Sequence, residues 1–294
     1  MRISTAYKFE AYSSRIQEAA SRYFEAQERV MTGKRYTRVS EDPVSAIVAM
    51  SARSLQTRLE QLTDNLANAR EYAGTTEQVL DETGRLTRKA YTLAIQGASD
   101  ATTQESRDAM AREIATIQNA ILEAANTKGL NGKYIFAGQK TDTKPFTASG
   151  GTLTFNGDTL PVSVEVRPGE MMRANLENAD VFFIDLYDTL ETLRLDLVGG
   201  DIGKISDQDI DALLRSIDTI SVARGSNGVR LNDITRIEAE NTRRTDNLTK
   251  TISDNEDIDL ADAITQMQMA ETAYAAALQT AGQGFRLSLM DFLR

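Results

Sequence analysis

The 294-residue sequence contains no cysteine, no histidine and no tryptophan, and it has only 4 prolines. Without cysteine the chain has no disulfide, thiolate nucleophile or cysteine-ligated zinc, and its redox compartment stays undetermined. Without histidine it lacks the usual general base and the commonest transition-metal ligand. The scarcity of proline and an aromatic content of 6% favour long helices over a β-sandwich.

Further absences concern membranes and nucleic acids. No run approaches the ~18 consecutive apolar residues of a membrane span, and the charged N-terminal segment has no signal-peptide core. A formal net charge of -10 opposes nucleic-acid binding, which requires a basic face. We therefore expect a soluble protein that contacts neither membrane nor nucleic acid and is not secreted by the general route.

Apolar residues recur every three or four positions at both ends of the chain. They are Phe9, Tyr12, Ile16, Tyr23 and Val30 near the N-terminus, and Leu260, Ile264, Met267, Tyr274, Leu278, Phe285 and Phe292 near the C-terminus. This spacing is typical of the narrow apolar stripe of a coiled coil. A single helix in water cannot bury such a stripe, so we predict that the two ends pair as antiparallel helices. We call these twelve residues the terminal seam.

The charges near the two ends suit an antiparallel arrangement. It would bring a set of acids beside a set of bases: Asp254, Glu256, Asp257, Asp259 and Asp262 beside Arg29, Lys34, Arg35 and Arg38. Both sets also suit the dipoles of their own helices. Solvated helix ends would explain the charges alone, but together with the matching stripes they favour pairing.

The middle of the chain changes its periodicity. Helices are predicted from Pro43 to Gly97, over Met110 to Ala125, from Val181 to Gly199 and from Ser206 to Ile252. Short strands are predicted at Tyr134–Phe136, Thr152–Phe155 and Val162–Val166, with a hairpin turn at Asn156-Gly157-Asp158. The expected fold is mainly α with a small β insert: a long antiparallel helical bundle or coiled coil of the terminal segments, and a central β-rich domain.

These elements predict three domains. They are a terminal coiled coil (1–43 and 253–294), a helical bundle (44–132 and 179–252) and a small β-rich inserted domain (133–178). Apolar stripes at helical spacing usually form the core of one chain, which would make a plain bundle. Here the stripes lie at the extreme ends beyond two breaks, which indicates a separable rod with apolar surface left for neighbouring subunits.

Candidate sites for chemistry are weak. Asp207, Asp209 and Asp211 imitate the start of a calcium loop, but Ala212 holds the glycine position and Asp218 stands where a bidentate glutamate belongs. A solvated helix start is the better interpretation. No pair of carboxylates is set apart by apolar surroundings. We therefore expect no enzyme, no cofactor and no metal.

Five further motifs are distinctive: Met1-Arg2-Ile3-Ser4-Thr5, Ser40-Glu41-Asp42-Pro43, Gly132-Lys133-Tyr134-Ile135-Phe136-Ala137-Gly138, Ser253-Asp254-Asn255-Glu256-Asp257 and Ser288-Leu289-Met290-Asp291-Phe292-Leu293. Together they resemble the flagellin family, in particular its hook–filament junction branch, the hook-associated protein 3 family. The motifs spread over nearly the whole chain. Glu41 replaces the family's usual aspartate, a like-charged exchange.

The resemblance implies a non-enzymatic subunit of the bacterial flagellum, located outside the cell and exported unfolded by the type III apparatus without a cleavable signal. Its implied partners are hook-associated protein 1, flagellin, copies of itself in a ring, and an export chaperone. It also implies that the terminal helices order on assembly. A short flagellin that forms the filament itself is the first alternative, and a non-flagellar coiled-coil adaptor is the second.

Overall fold

The computed structural model describes residues 5–292, with side chains described for Tyr7 and for residues 9–284. Its helices are α1 (Thr5–Thr32), α2 (Pro43–Gly97), α3 (Gln104–Ala125), α4 (Ala179–Gly199), α5 (Ile202–Lys204), α6 (Ile210–Glu256) and α7 (Leu260–Phe292). One π-helical turn, Ile205–Asp209, leads from α5 into α6. Four short strands lie between α3 and α4. The predicted fold class, mainly α with a small β insert, is confirmed.

Local chemistry explains where the first two helices end and begin. Helix α1 stops at Thr32 because Gly33 adopts a left-handed conformation, with φ of 66°. Helix α2 opens on Pro43, whose ring suits the first helical turn. The Asp42 carboxylate accepts a hydrogen bond from the Ser45 amide at 3.1 Å and so caps the same end. From there α2 continues for 55 residues to Gly97, the predicted end.

The strands form two separate antiparallel hairpins. Strands β1 (Phe146–Ser149) and β2 (Thr152–Phe155) pair around Gly150 and Gly151, which both have positive φ. Strands β3 (Ser163–Arg167) and β4 (Glu170–Arg173) pair around Pro168 and Gly169. The sequence had predicted only one strand of each hairpin.

Two of the β predictions are wrong. The segment Asn156-Gly157-Asp158 is not a hairpin turn, since β2 and β3 do not pair. Instead the Asp158 carboxylate accepts hydrogen bonds from the amides of Gln139 and Leu160, at 2.8 and 3.1 Å, and ties two loops together. Tyr134–Phe136 is not a strand: it makes a single bridge to Lys128 and buries consecutive side chains, which an alternating strand cannot do.

The chain divides into two compact units. Residues 1–58 with 243–294 form the terminal unit, and residues 59–242 form the central unit. Helices α2 and α6 contribute residues to both. These bounds differ from the three domains expected from the sequence, and the three-domain organisation stays a prediction.

The core of the central unit joins helices and strands. Phe183 of α4 meets Phe136 and Phe146 edge to face, with ring centroids 5.0 and 5.2 Å apart. Leu153 of β2 lies buried in the same cluster. The β1–β2 hairpin therefore shares its core with α4. Within the same unit, α2 and α6 run antiparallel, and the Asn227 side-chain amide donates to the Ala73 carbonyl at 2.8 Å.

Candidate assembly interface

Helices α1 and α7 pack against each other in antiparallel fashion inside the terminal unit. The rings of Tyr23 and Tyr274 stack, with centroids 6.2 Å apart and an interplanar angle of 7°. Farther along the pair, Gly284 lies so close to Tyr12 that an added Cβ would meet the tyrosine ring at 2.8 Å. The predicted pairing of the chain ends is thus confirmed as part of the fold.

The structure divides the terminal seam into two groups. Tyr12, Ile16, Tyr23, Val30, Met267 and Tyr274 are half-buried, whereas Phe9, Leu260, Ile264 and Leu278 are exposed. The side chains of Phe285 and Phe292 lie outside the described residues. The line that α7 turns toward α1 consists mainly of small residues: Ala263, Ala270, Ala277, Ala281 and Gly284.

Small residues let two helix backbones approach closely, and this explains the difference from the sequence pattern. The alanine line lies on the face of α7 that packs against α1. Leu260, Ile264 and Leu278 form a second, exposed stripe next to it. A prediction from periodicity gives larger side chains more weight than alanine. It therefore chose Ile264 and Leu278, each one position after an alanine of this line, Ala263 and Ala277. Whether these three residues contact another subunit stays a prediction.

The first turns of α2 reverse the usual distribution of side-chain size. The alanines Ala46, Ala49 and Ala52 are buried, while large apolar residues face outward: Val44, Ile47, Val48, Met50 and Leu55. Ala49 is 0% exposed and Ile47 is 62% exposed. Large side chains gain the most from burial, so this helix face is suited to a contact outside the single chain.

Exposed apolar side chains occur throughout the terminal unit. Besides those of α2 and α7 they include Tyr7, Phe9, Phe24 and Met31 on α1. Exposed apolar side chains, when they cluster, mark protein–protein or membrane contact sites. Among the described residues, however, no helix is both long and apolar enough to cross a membrane. We refer to the outward apolar residues of α1, α2 and α7 as the assembly surface.

The predicted charge pairing is present only in part. The Lys34 ammonium lies 2.7 Å from Asp257 and 3.3 Å from Glu256. The hydrogen bond from Lys34 is the main cause that lowers the pKa of Asp257 and raises that of Lys34. Asp259 instead caps α7, accepting from the amide of Ala261 at 2.9 Å.

The basic side of this pairing also differs from the prediction. The guanidinium of Arg35 lies 3.8 Å from the Asp42 carboxylate, not beside the C-terminal acids. Arg29 and Arg38 form no ion pair among the described residues. Arg53 of α2, absent from the prediction, binds Glu256.

The acidic triplet at the start of α6 does not converge on a site. Asp209 is buried, whereas Asp207 and Asp211 are exposed. Burial is the main cause that raises the pKa of Asp209 to about 6, and the nearby Asp196 carboxylate adds to it. In the described part of the chain, no group of three or more acidic side chains is placed to hold a metal.

Comparison with known proteins relates this architecture to the bacterial flagellum. Residues 3–141 match the bacterial flagellin N-terminal helical region. The chain is 23% identical to flagellar hook-associated protein 3 of Salmonella typhimurium, over 95% of this chain and 96% of the relative. It is 29% identical to flagellin B of Helicobacter pylori, but over only 38% of this chain and 22% of that protein.

A solved structure shares the fold. Flagellar hook-associated protein 3 of Legionella pneumophila superposes with a TM-score of 0.62 at 14% identity, covering 70% of this chain and 98% of that one. Most of this fold is therefore already seen in a solved structure.

Proposed function

We propose that this chain, which carries the flagellin N-terminal helical region and resembles hook-associated protein 3 along its length, is a structural subunit of the bacterial flagellum that joins the hook to the filament. The extent of the similarity carries this proposal. Hook-associated protein 3 of Salmonella typhimurium aligns over 95% of this chain, which includes most of its middle. Flagellin B shares little more than one third of it.

The assembly surface supports a role as a subunit and not as an enzyme. Large side chains face outward from α1, α2 and α7, while the buried apolar residues of early α2 and of α7 are alanines. Such a surface gains apolar burial only when another chain covers it. Subunits of symmetric assemblies present surfaces of this kind to one another.

The partners follow from the position at the junction. Copies of this chain would lie side by side in a ring. One end of the ring would contact hook-associated protein 1, and the other end would contact flagellin. Before export, the exposed apolar residues of the terminal unit would be bound by a chaperone. Export without a cleavable signal belongs to the same proposal.

Deletion of the gene tests this role in the cell. We expect hooks to be assembled but filaments to be missing, with flagellin found in the medium. Re-expression of the wild-type chain should restore attached filaments. Normal filaments in the deletion strain would contradict the proposal.

Polymerisation of the purified protein separates the junction protein from a short flagellin. A filament subunit stacks on copies of itself without limit, because a heterologous interface that does not close yields an open helical polymer. We therefore expect no long filaments under conditions that polymerise flagellin. Long homopolymers would favour the flagellin alternative. A non-flagellar adaptor would be absent from sheared flagella.

A further inference from the structure

Inside the central unit, a short segment joins α4 to α6. It consists of α5 and the π-helical turn Ile205–Asp209. Such turns are rare and are often found at functional sites. Ile205 is fully buried in the main core cluster, and its amide donates to the Asp201 carbonyl at 3.2 Å. The segment is therefore part of the packed interior of this unit.

The π-helical turn places a carboxyl group in this interior. Asp209 is only 2% exposed, and its Oδ2 atom has no hydrogen-bond partner among the described residues. A buried acceptor without a donor destabilises the fold, and a buried unpaired charge does so more strongly. A proton on Asp209 removes the charge and turns an acceptor oxygen into a donor.

The π-helical turn packs against α4 and α5, and both carry charges that act on Asp209. These groups are Asp196 on α4, Asp201 in the connector after α4, and Lys204 on α5. The Lys204 ammonium lies 3.0 Å from Asp201 and 3.6 Å from Asp196, so two other carboxylates already share it. Ionised Asp209 would be the third carboxylate beside this one cation. Burial first, and then Asp196, raise the pKa of Asp209 to about 6.

We propose that Asp209 and Asp196 share one proton, which holds the π-helical turn against the end of α4, and that loss of this proton at higher pH opens residues 202–209 locally. While the proton is present, the Asp209 carboxyl group donates to the Asp196 carboxylate. Once it is lost, two neighbouring carboxylates repel each other in the core, and opening lets water solvate Asp209. The inference concerns an internal motion of the central unit and does not depend on the flagellar role.

Amide hydrogen exchange measures this opening in the unmodified chain. The opening constant follows from the protection of the amides of residues 205–210, corrected for the pH dependence of intrinsic exchange. The pKa of Asp209 is about 6 in the closed state and returns to 3.8 in the open one, so this constant should rise more than about tenfold from pH 4.5 to pH 7. A rise of less than about twofold would overturn the proposal.

Low concentrations of urea separate local opening from global unfolding. A local opening exposes little surface, so at pH 7 the exchange of residues 205–210 should hardly change with urea below the unfolding transition. The amides of residues 114–121 in the buried middle of α3 are the internal reference, and they should lose protection as urea is added. If the segment follows urea as α3 does, the opening is global and the proposal fails.

Three variants test the shared proton. Asp209→Asn removes the titrating group, so the opening constant should vary by less than about twofold between pH 4.5 and pH 7. Asp207→Asn is the matched control at an exposed residue of the same turn and should keep the wild-type rise. Asp196→Asn supplies an amide that can donate to ionised Asp209, so the rise should be smaller than in the wild type. A wild-type rise in either Asp209→Asn or Asp196→Asn would overturn the shared proton.

Discussion

In the first turns of α2 small side chains are buried and large ones are exposed, and this allows a substitution that affects assembly but not folding. Ile47→Asp places a carboxylate on the outward face, where the native side chain is already 62% exposed. A substitution at an exposed position outside helix caps and ion pairs usually changes the free energy of unfolding by no more than about 0.5 kcal/mol. We therefore expect the monomer of this variant to unfold at nearly the same temperature as the wild type.

The cost appears once a neighbour covers the helix. Burying the exposed three-fifths of the isoleucine is worth about 1–2 kcal/mol, and this gain is lost. An unpaired carboxylate in the same contact costs several kcal/mol more. Together they weaken each contact by at least about 4 kcal/mol, which is a factor of about a thousand in the association constant.

Two variants bracket this experiment. Val229→Asp makes the same change at a side chain 63% exposed on α6 in the central unit, and it should assemble normally. Ala49→Asp puts the charge at the buried position two residues from Ile47 and should unfold the terminal unit of the monomer. The readouts are thermal circular dichroism of the purified chains and the fraction of hooks that carry filaments in a complemented deletion strain. If Ile47→Asp supports filaments as the wild type does, or melts as early as Ala49→Asp, the reasoning about α2 is wrong.

Three further substitutions give independent checks. In the folded chain burial raises the pKa of Asp209 from 3.8 to about 6, so its contribution favours folding below about pH 4 and is lost as the pH rises through 6. In urea titrations Asp209→Asn should therefore raise the unfolding free energy at pH 7 by up to about 3 kcal/mol and reduce this pH dependence. The same exchange at the exposed Asp207 should do neither. Leu278→Asp, at a side chain 44% exposed, should leave monomer melting nearly unchanged and prevent incorporation into flagella; early melting would instead mean that Leu278 packs within the chain. Phe146→Ala removes a fully buried ring beside Phe183 and should cost about 3–5 kcal/mol in urea unfolding, and a loss below 1 kcal/mol would show that the hairpin is peripheral to the core.

Much of the helical framework could be predicted because its ends depend on local chemistry. Gly33 stops α1 and Pro43 opens α2 whatever surrounds them. The hairpins were harder, since Gly150-Gly151 and Asn156-Gly157 are both good turn sequences. Which one joins two strands is decided by Phe146 and Leu153, which pack into the core with Phe183. That contact links residues far apart in the sequence, and no local pattern contains it.

The exposed apolar side chains of the terminal unit could be predicted only in part. The stripes at both ends identified the terminal helices, yet both faces of early α2 are apolar in the sequence. Nothing in the spacing of Ala46, Ile47 and Ala49 says that the alanines turn inward. Arg53 was missed for a related reason: its partner Glu256 lies 203 residues away, and only the fold brings them together.

The inward alanines and the outward large residues have one energetic consequence. An alanine buries little apolar area, so burial inside the terminal unit offsets only part of the conformational entropy lost when its helices order. Further stabilisation can come from the outward residues, among them Phe24 and Met31 on α1 and Leu260 and Ile264 on α7, when a neighbouring chain buries them. The terminal unit should therefore gain more stability from neighbouring chains than from its own interior. Within the single chain, the specific contacts of this unit are few: Tyr23 stacks on Tyr274, and Lys34 and Arg53 bind the buried Glu256 carboxylate.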